Sequence, residues 1–161
     1  MRPVVGADLE LLAALNDAAV PNVNALGLDG LAPLVERSEL ALTVEDCGVP
    51  AALLVAFAPG ADYASENYAW FSVHQPPSLY VDRIVVGEAL RGRGIGAALY
   101  ESVFDHATGL GLGLVTCEVN LDPPNPRSLA FHERLGFTQV GTQRTTGGTV
   151  EVALLARATS T

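Results

Sequence analysis

The segment Arg91-Gly92-Arg93-Gly94-Ile95-Gly96 is where residue types and spacing point most directly to chemistry. It follows an apolar run ending at Val86 and opens a stretch with helical periodicity. A turn without Cβ atoms lets backbone N–H groups come close to an anion. A helix N-terminus behind it adds free N–H groups and partial positive charge. The pattern predicts a phosphate or pyrophosphate site. Charge supports that reading by contrast. The net charge is −9, there is no lysine, and all nine Lys/Arg cations are arginines. Arg83, Arg91, Arg93, Arg127 and Arg134 all lie between residues 83 and 134, either as solvated charge on loops and helices or as a local anion site. The acidic balance argues against a surface that binds nucleic-acid backbones.

Three phosphate motifs compete at this turn. A P-loop needs a lysine after its glycine, which excludes it here. Gly92-x-Gly94-x-x-Ala97 meets the dinucleotide fingerprint formally. That fingerprint expects an acidic residue ~20 positions on, at the end of the next strand. Glu118 comes later and inside its strand, and too little chain follows for a doubly wound sheet. The third pattern, Arg-x-x-Gly-x-Gly, is met by Arg91, Gly94 and Gly96.

The elements that must position this turn follow from periodicity and punctuation. Asp8–Ala19 predicts a helix capped by Asp8, and Leu31–Arg37 a second, shorter one. Leu40–Glu45 and Ala51–Ala58 predict a hairpin. Residues 61–77 read as a long irregular connection. Ser78–Val86 predicts a strand with Tyr80, Asp82, Ile84 and Val86 on one face and Leu79, Val81, Arg83 and Val85 on the other. Gly94–Thr108 predicts a helix with an Ile95, Leu99, Val103 stripe, stopped by Gly109. Leu114–Val119 is an apolar strand interrupted by Thr116 and Glu118. Asn125 and Pro126 cap and start a helix that ends before Gly136. Thr138–Arg144 and Thr149–Ala156 predict a closing hairpin. The order implies one α/β domain over 1–161, with a mixed, mostly antiparallel sheet of six to seven strands and helices on both faces. No apolar run approaches the ~20 residues that span a bilayer, and no signal-peptide pattern opens the chain, so a cytoplasmic location is expected. Cys117 reads as a buried free thiol, and no metal is expected.

The Arg91–Gly96 turn, together with Asn125-x-x-Ser128-x-x-x-His132-Glu133-x-Leu135-Gly136-Phe137, resembles the GNAT acyltransferase superfamily. Its members move an acetyl group from acetyl-CoA to an amine. The two motifs and their context cover roughly residues 78–140, and residues 1–77 carry no comparable signature. The resemblance implies that Ile84, Val85 and Val86 pair through their backbone with the pantetheine arm, like an added strand. It implies that Arg91, Gly92, Arg93, Gly94, Ile95 and Gly96 bind the pyrophosphate of coenzyme A. Asn125 and Ser128 would touch the arm or its phosphates, and the Ser78–Val86 and Leu114–Val119 strands would splay to admit the thioester.

Acetyl transfer to an amine needs a neutral nucleophile, donors for the oxyanion and a proton for the departing thiolate. Asp82, placed by alternation beside Ile84 and Val86, is the candidate base. The alternative is that it pairs with an arginine or orients the acceptor. His132 departs from the superfamily, which commonly has a tyrosine there to protonate the thiolate. Imidazole can do this near neutral pH, or the histidine can be structural. Tyr80 is a second candidate acid. Tyr63, Tyr68, Trp70, Phe71 and His74 of the 61–77 segment are expected to wall the acceptor pocket, and nearby Asp62 and Glu66 would favour a cationic amine. The expected partner is a small-molecule or peptide amine, with neither nucleic acid nor membrane and with a homodimer possible by analogy. The rival reading is a non-catalytic module that binds CoA with this fold.

Overall fold

The fold is described from a computed structural model covering residues 1–159. Its sheet is built around β3 (Val49–Phe57), of which Ala52–Phe57 are all 0% exposed. A strand covered on both faces reads as an unbroken apolar run rather than an alternating one. β2 (Leu40–Asp46) and β4 (Leu79–Val86) flank it, both antiparallel. The remaining strands are β1 (Arg2–Pro3), β5 (Leu114–Asp122), β6 (Thr138–Thr145) and β7 (Val150–Ala158). The seven strands run in the order β1-β2-β3-β4-β5-β7-β6, and of the neighbouring pairs only β4–β5 is parallel.

Five helices cover the sheet: α1 (Leu9–Asp17), α2 (Gly27–Arg37), α3 (Glu66–His74), α4 (Ile95–Gly109) and α5 (Pro126–Arg134). α4 is the crossover between β4 and β5. Its Leu99, Tyr100 and Val103 pack on Leu54, Val81, Val115 and Cys117, and Leu129 and Phe131 of α5 join the same face. On the opposite face, Leu12, Leu31, Tyr68 and Phe71 from α1, α2 and α3 pack on Leu53, Val55, Tyr80 and Leu154. The expected mixed sheet with helices on both faces is the one observed. α5 also starts and ends as its residues predict. Asn125 Oδ1 accepts the Ser128 N–H at 3.2 Å. At the other end, Gly136 takes φ +85°, and the Phe137 and Gly136 N–H groups return to the His132 and Glu133 carbonyls. That is the Schellman pattern.

Several expectations are corrected. The 61–77 segment contains α3. A nine-residue helix is below the ~12–15 residues an isolated helix needs, so tertiary burial decides it. Tyr68 and Phe71, three apart, are both buried, and each such burial is worth about 1.5–3 kcal/mol. Asp8 does not cap α1 through its side chain. It ends a short 3-10 turn and instead accepts bonds from Arg2 at 2.6 and 2.8 Å and from the Val5 N–H at 2.9 Å. α2 begins at Gly27 rather than Leu31, because the Asp17 carboxylate accepts the Leu26 and Gly27 N–H groups at 2.8 and 3.1 Å. Gly109 lies within α4, and Gly111 beyond it takes the positive φ of +72°.

The largest correction concerns β4. Val55 pairs with Arg83 but Ala56 with Val81, so Asp82 is an extra residue, a β-bulge. Alternation therefore breaks at the bulge. Val81, Ile84 and Val86 share the α4 side, whereas Tyr80 faces α3. Asp82 does not share a face with Ile84 and Val86.

Candidate active site

The bulge has a consequence next door. β4 and β5 pair only through Leu79–Val115, Tyr80–Thr116 and Val81–Cys117. Beyond these pairs the strands separate. The Asp82–Val86 edge of β4 and the Glu118–Asp122 edge of β5 then face each other with no ladder between them. Apart from the Val86 and Asn120 carbonyls, which accept from Arg91 Nε and the Asn125 N–H, backbone groups there have no strand partner across the gap, the geometry into which an added strand fits. Ile84, Val85 and Val86 remain anchored on their other side to Leu54, Leu53 and Ala52 of β3.

The Arg91–Gly96 turn follows β4 at the open end of this gap. Gly92 and Gly94 have φ of +74° and +79°, and a Cβ on either would meet nothing within 4 Å. Gly94 is the N-cap of the fifteen-residue α4, whose first N–H groups have no partner inside the helix. Arg91 Nε donates to the Val86 carbonyl at 3.0 Å and ties the turn to the end of β4. Gly96 has a different reason for being glycine. A Cβ there would lie 2.9 Å from the Phe131 ring, so its absence lets α5 approach α4. Arg93, Ile95 and Ser128 lie on the same turn, on α4 and on α5. The residues present fit a coenzyme A pyrophosphate and pantetheine arm.

His132 is 2% exposed and both its nitrogens are engaged. Nδ1 lies 2.8 Å from the Ser128 carbonyl and Nε2 lies 2.7 Å from the Tyr100 hydroxyl. A carbonyl only accepts, so Nδ1 carries the proton and Tyr100 donates to Nε2. Burial lowers the His132 pKa below its ordinary 6.5, which keeps the ring neutral.

Asp82 is also engaged at both oxygens. The Tyr63 hydroxyl donates to Oδ1, and Arg83 Nε donates to Oδ2 at 2.7 Å. Both partners of the Asp82–Arg83 pair have side chains only 5% exposed. Arg83 continues the chain, donating to Asn16 Oδ1 at 2.9 Å and Asn24 Oδ1 at 3.2 Å. Of the expected aromatic wall, Tyr63 reaches this network and Tyr68 and Phe71 serve the core. Trp70 stacks on His74 at 4.3 Å, against Gly141.

The residue that sequence reasoning missed is Glu118. Its position on β5, next after the last β4–β5 pair, puts it at the start of the gap. One carboxylate oxygen, Oε2, is buried without a hydrogen-bond partner, and so is the Tyr80 hydroxyl. Unsatisfied buried polar atoms are uncommon and call for an explanation. Burial, reinforced by the nearby Asp82 charge and opposed by the neighbouring Tyr80 and Asn67 side chains and the Arg83 charge, pushes the Glu118 pKa up to about 8. Burial, and then the charges of Glu118 and Asp82, push the Tyr80 phenol well above its ordinary value. A signal did exist. Glu118 is the one charged residue in the apolar Leu114–Val119 run.

A sequence model of the acetyltransferase (GNAT) family matches residues 36–137, more than half of the chain. No curated protein matches the chain significantly. Among solved structures, Ard1 from Thermoplasma volcanium aligns with a TM-score of 0.78 at 14% identity, covering 99% of this chain and 97% of that one. The ribosomal-protein-S18-alanine N-acetyltransferase from Escherichia coli aligns at 0.71 with 19% identity, covering 99% and 93%. yncA from Salmonella typhimurium, solved with its cofactor acetyl-CoA, aligns at 0.71 with 17% identity, covering 99% and 93%. Likeness at these identities shows the fold.

Proposed function

The chain belongs to the GNAT acetyltransferase family, and from that premise we propose that it transfers an acetyl group from acetyl-CoA to an amine by direct attack, with Glu118 as the base. The observation that carries this reading is the buried, unpartnered Glu118 oxygen at the start of the β4–β5 gap. A carboxylate in that position, raised to about 8, is matched to accepting a proton from an ammonium near neutral pH.

Each residue then has a role. The Arg91–Gly96 turn and the α4 N-terminus hold the pyrophosphate, and the free β4 edge at Ile84–Val86 holds the pantetheine arm. Asn125 caps α5 through its side-chain oxygen and presents its amide to the arm, beside Ser128. Bound acetyl-CoA supplies an activated acyl group, whose transfer makes a C–N bond, breaks a C–S bond and releases two protons from the ammonium. Glu118 takes the first of these protons, and the second passes to the thiolate. Tyr80, held neutral by its raised pKa, donates a hydrogen bond in the gap without losing its proton. Asp82, held by Tyr63 and Arg83, raises the basicity of Glu118 from behind. His132 has no free nitrogen and acts as a buttress between α4 and α5 rather than as the acid. The gap itself contributes proximity, since both reactants meet in one slot.

The test is thiol release from acetyl-CoA across a panel of primary amines, with acetylated product identified by mass. Turnover of any amine supports the reading. Calorimetric binding of acetyl-CoA with no turnover on small amines or peptide N-termini favours a cofactor-binding module.

A further inference from the structure

The arginines sort by face of the sheet. On the α4–α5 face, Arg93, Arg127 and Arg134 carry no ion pair among the described residues, and Arg91 reaches only a backbone carbonyl. On the opposite face the cations at the gap end of the sheet are engaged, while exposed Arg37, at the end of α2 just before β2, lies at the other end. Arg83 is buried and donates from all three nitrogens, to Asp82, Asn16 and Asn24. Arg144, at the same end of the sheet, pairs with Glu151 at 2.8 Å. Against these stand Glu118, with a buried free oxygen, and Asp82 behind it.

The connection between α1 and α2 closes this end of the site. Arg83 of β4 holds it through Asn24. From β5, Asn120 Nδ2 donates to the Pro21 carbonyl at 3.1 Å. The connection is thus stapled to both strands that flank the gap. The Arg83 guanidinium is locked beneath it, where it cannot swing out to meet a ligand without breaking three hydrogen bonds.

From this arrangement we infer that the acceptor is an amine with no carboxylate on the amine-bearing carbon, such as a peptide N-terminus or a simple alkylamine, rather than a free amino acid. The inference rests on the acyl-transfer reading above. An ammonium seated at Glu118 brings its own carbon, and anything attached to it, into a slot bounded by two carboxylates. A carboxylate there would meet like charge in a partly desolvated space with no free cation to pair with. A neutral carbonyl or a methylene meets no such penalty. Asn120 and Tyr80 are neutral groups that a peptide carbonyl can use.

The experiment compares kcat/KM for matched pairs with acetyl-CoA on the full chain. Suitable pairs are phenethylamine with phenylalanine, isobutylamine with valine, and cadaverine with lysine, joined by short peptides with free N-termini. The expected result is a preference of tenfold or more for the carboxylate-free member. Asp82→Asn, which removes the Arg83 counter-charge, should narrow that preference by raising the relative rate with the amino acid. Equal or faster turnover of the free amino acids overturns the inference and leaves the acyl-transfer reading standing. Tight acetyl-CoA binding with no turnover of any acceptor overturns both. A preference unchanged in a folded Asp82→Asn protein overturns the charge argument.

Discussion

Replacing Glu118 with glutamine keeps the shape of the side chain and removes its ability to take a proton. Loss of a positioned general base costs typically 10²–10⁴ in rate, about 3–5 kcal/mol of barrier. The pH dependence separates this from simple damage. With Glu118 raised to about 8, wild-type kcat/KM should climb about tenfold per pH unit below that value and level off above it. The acceptor should be an aliphatic amine that stays an ammonium throughout the range. Glu118→Gln should lose that limb while CoA affinity, read by calorimetry, stays within about threefold. Stability supplies a second readout. The folded-state pKa lies above the ordinary 4.5, so between these values the native state holds a proton that the unfolded chain releases. Stability therefore falls as pH rises through the window, and Glu118→Gln should flatten the fall, gaining a few kcal/mol at most at pH 9. A variant within threefold of wild-type kcat/KM, or a wild-type profile flat from pH 6 to 9, would refute the assignment.

Other predictions address separate parts of the account. Gly94→Asp should lose coenzyme A binding, because it sets a carboxylate where the pyrophosphate is proposed to lie. Gly94→Ala carries the same positive-φ strain, about 1 kcal/mol, and should bind nearly normally; equal titrations for the two would remove the turn from the site. Gly96→Val should destabilise by about 1–3 kcal/mol, since its first added carbon already meets Phe131 at 2.9 Å. A double change with Phe131→Ala should recover part of that loss in a denaturant melt. His132→Phe leaves the Tyr100 hydroxyl unpaired and should cost about 1–3 kcal/mol, with kcat falling less than tenfold. A larger fall in kcat at unchanged stability would restore His132 as the acid. The lowered His132 pKa implies that wild-type stability declines as pH drops below about 6.5, because the unfolded imidazole takes up a proton that the buried one resists. His132→Phe should remove that decline in melts recorded from pH 7.5 to 5.

Much of the architecture is legible in sequence wherever the signal is local. Asn125, Pro126 and Gly136 mark both ends of α5, and the alternating glycines mark the start of α4. The same holds for the turn at Gly92 and Gly94, whose positive φ values are what glycine there predicts. What escapes is what depends on partners distant in the chain. α3 escapes because exposed Val73 blurs its apolar stripe and its stability comes from Tyr68 and Phe71 against the sheet. The start of α2 depends on Asp17, ten residues away. The bulge at Asp82 is a matter of register against β3, and period-2 counting cannot see it. That one extra residue moved Asp82 off the presumed thioester face and into the pair with Arg83. Glu118 escapes for a related reason. Its importance lies in the end of the β4–β5 ladder one residue earlier, and strand pairing does not show in a single strand's pattern.

The most direct measurement of the central claim is a crystal structure with coenzyme A bound. The pyrophosphate is expected on the N–H groups of residues 92–96, the pantetheine arm along Ile84–Val86, and the sulfur in the gap beside Glu118. A pyrophosphate held elsewhere, or a sulfur lying outside the β4–β5 gap, would contradict that claim.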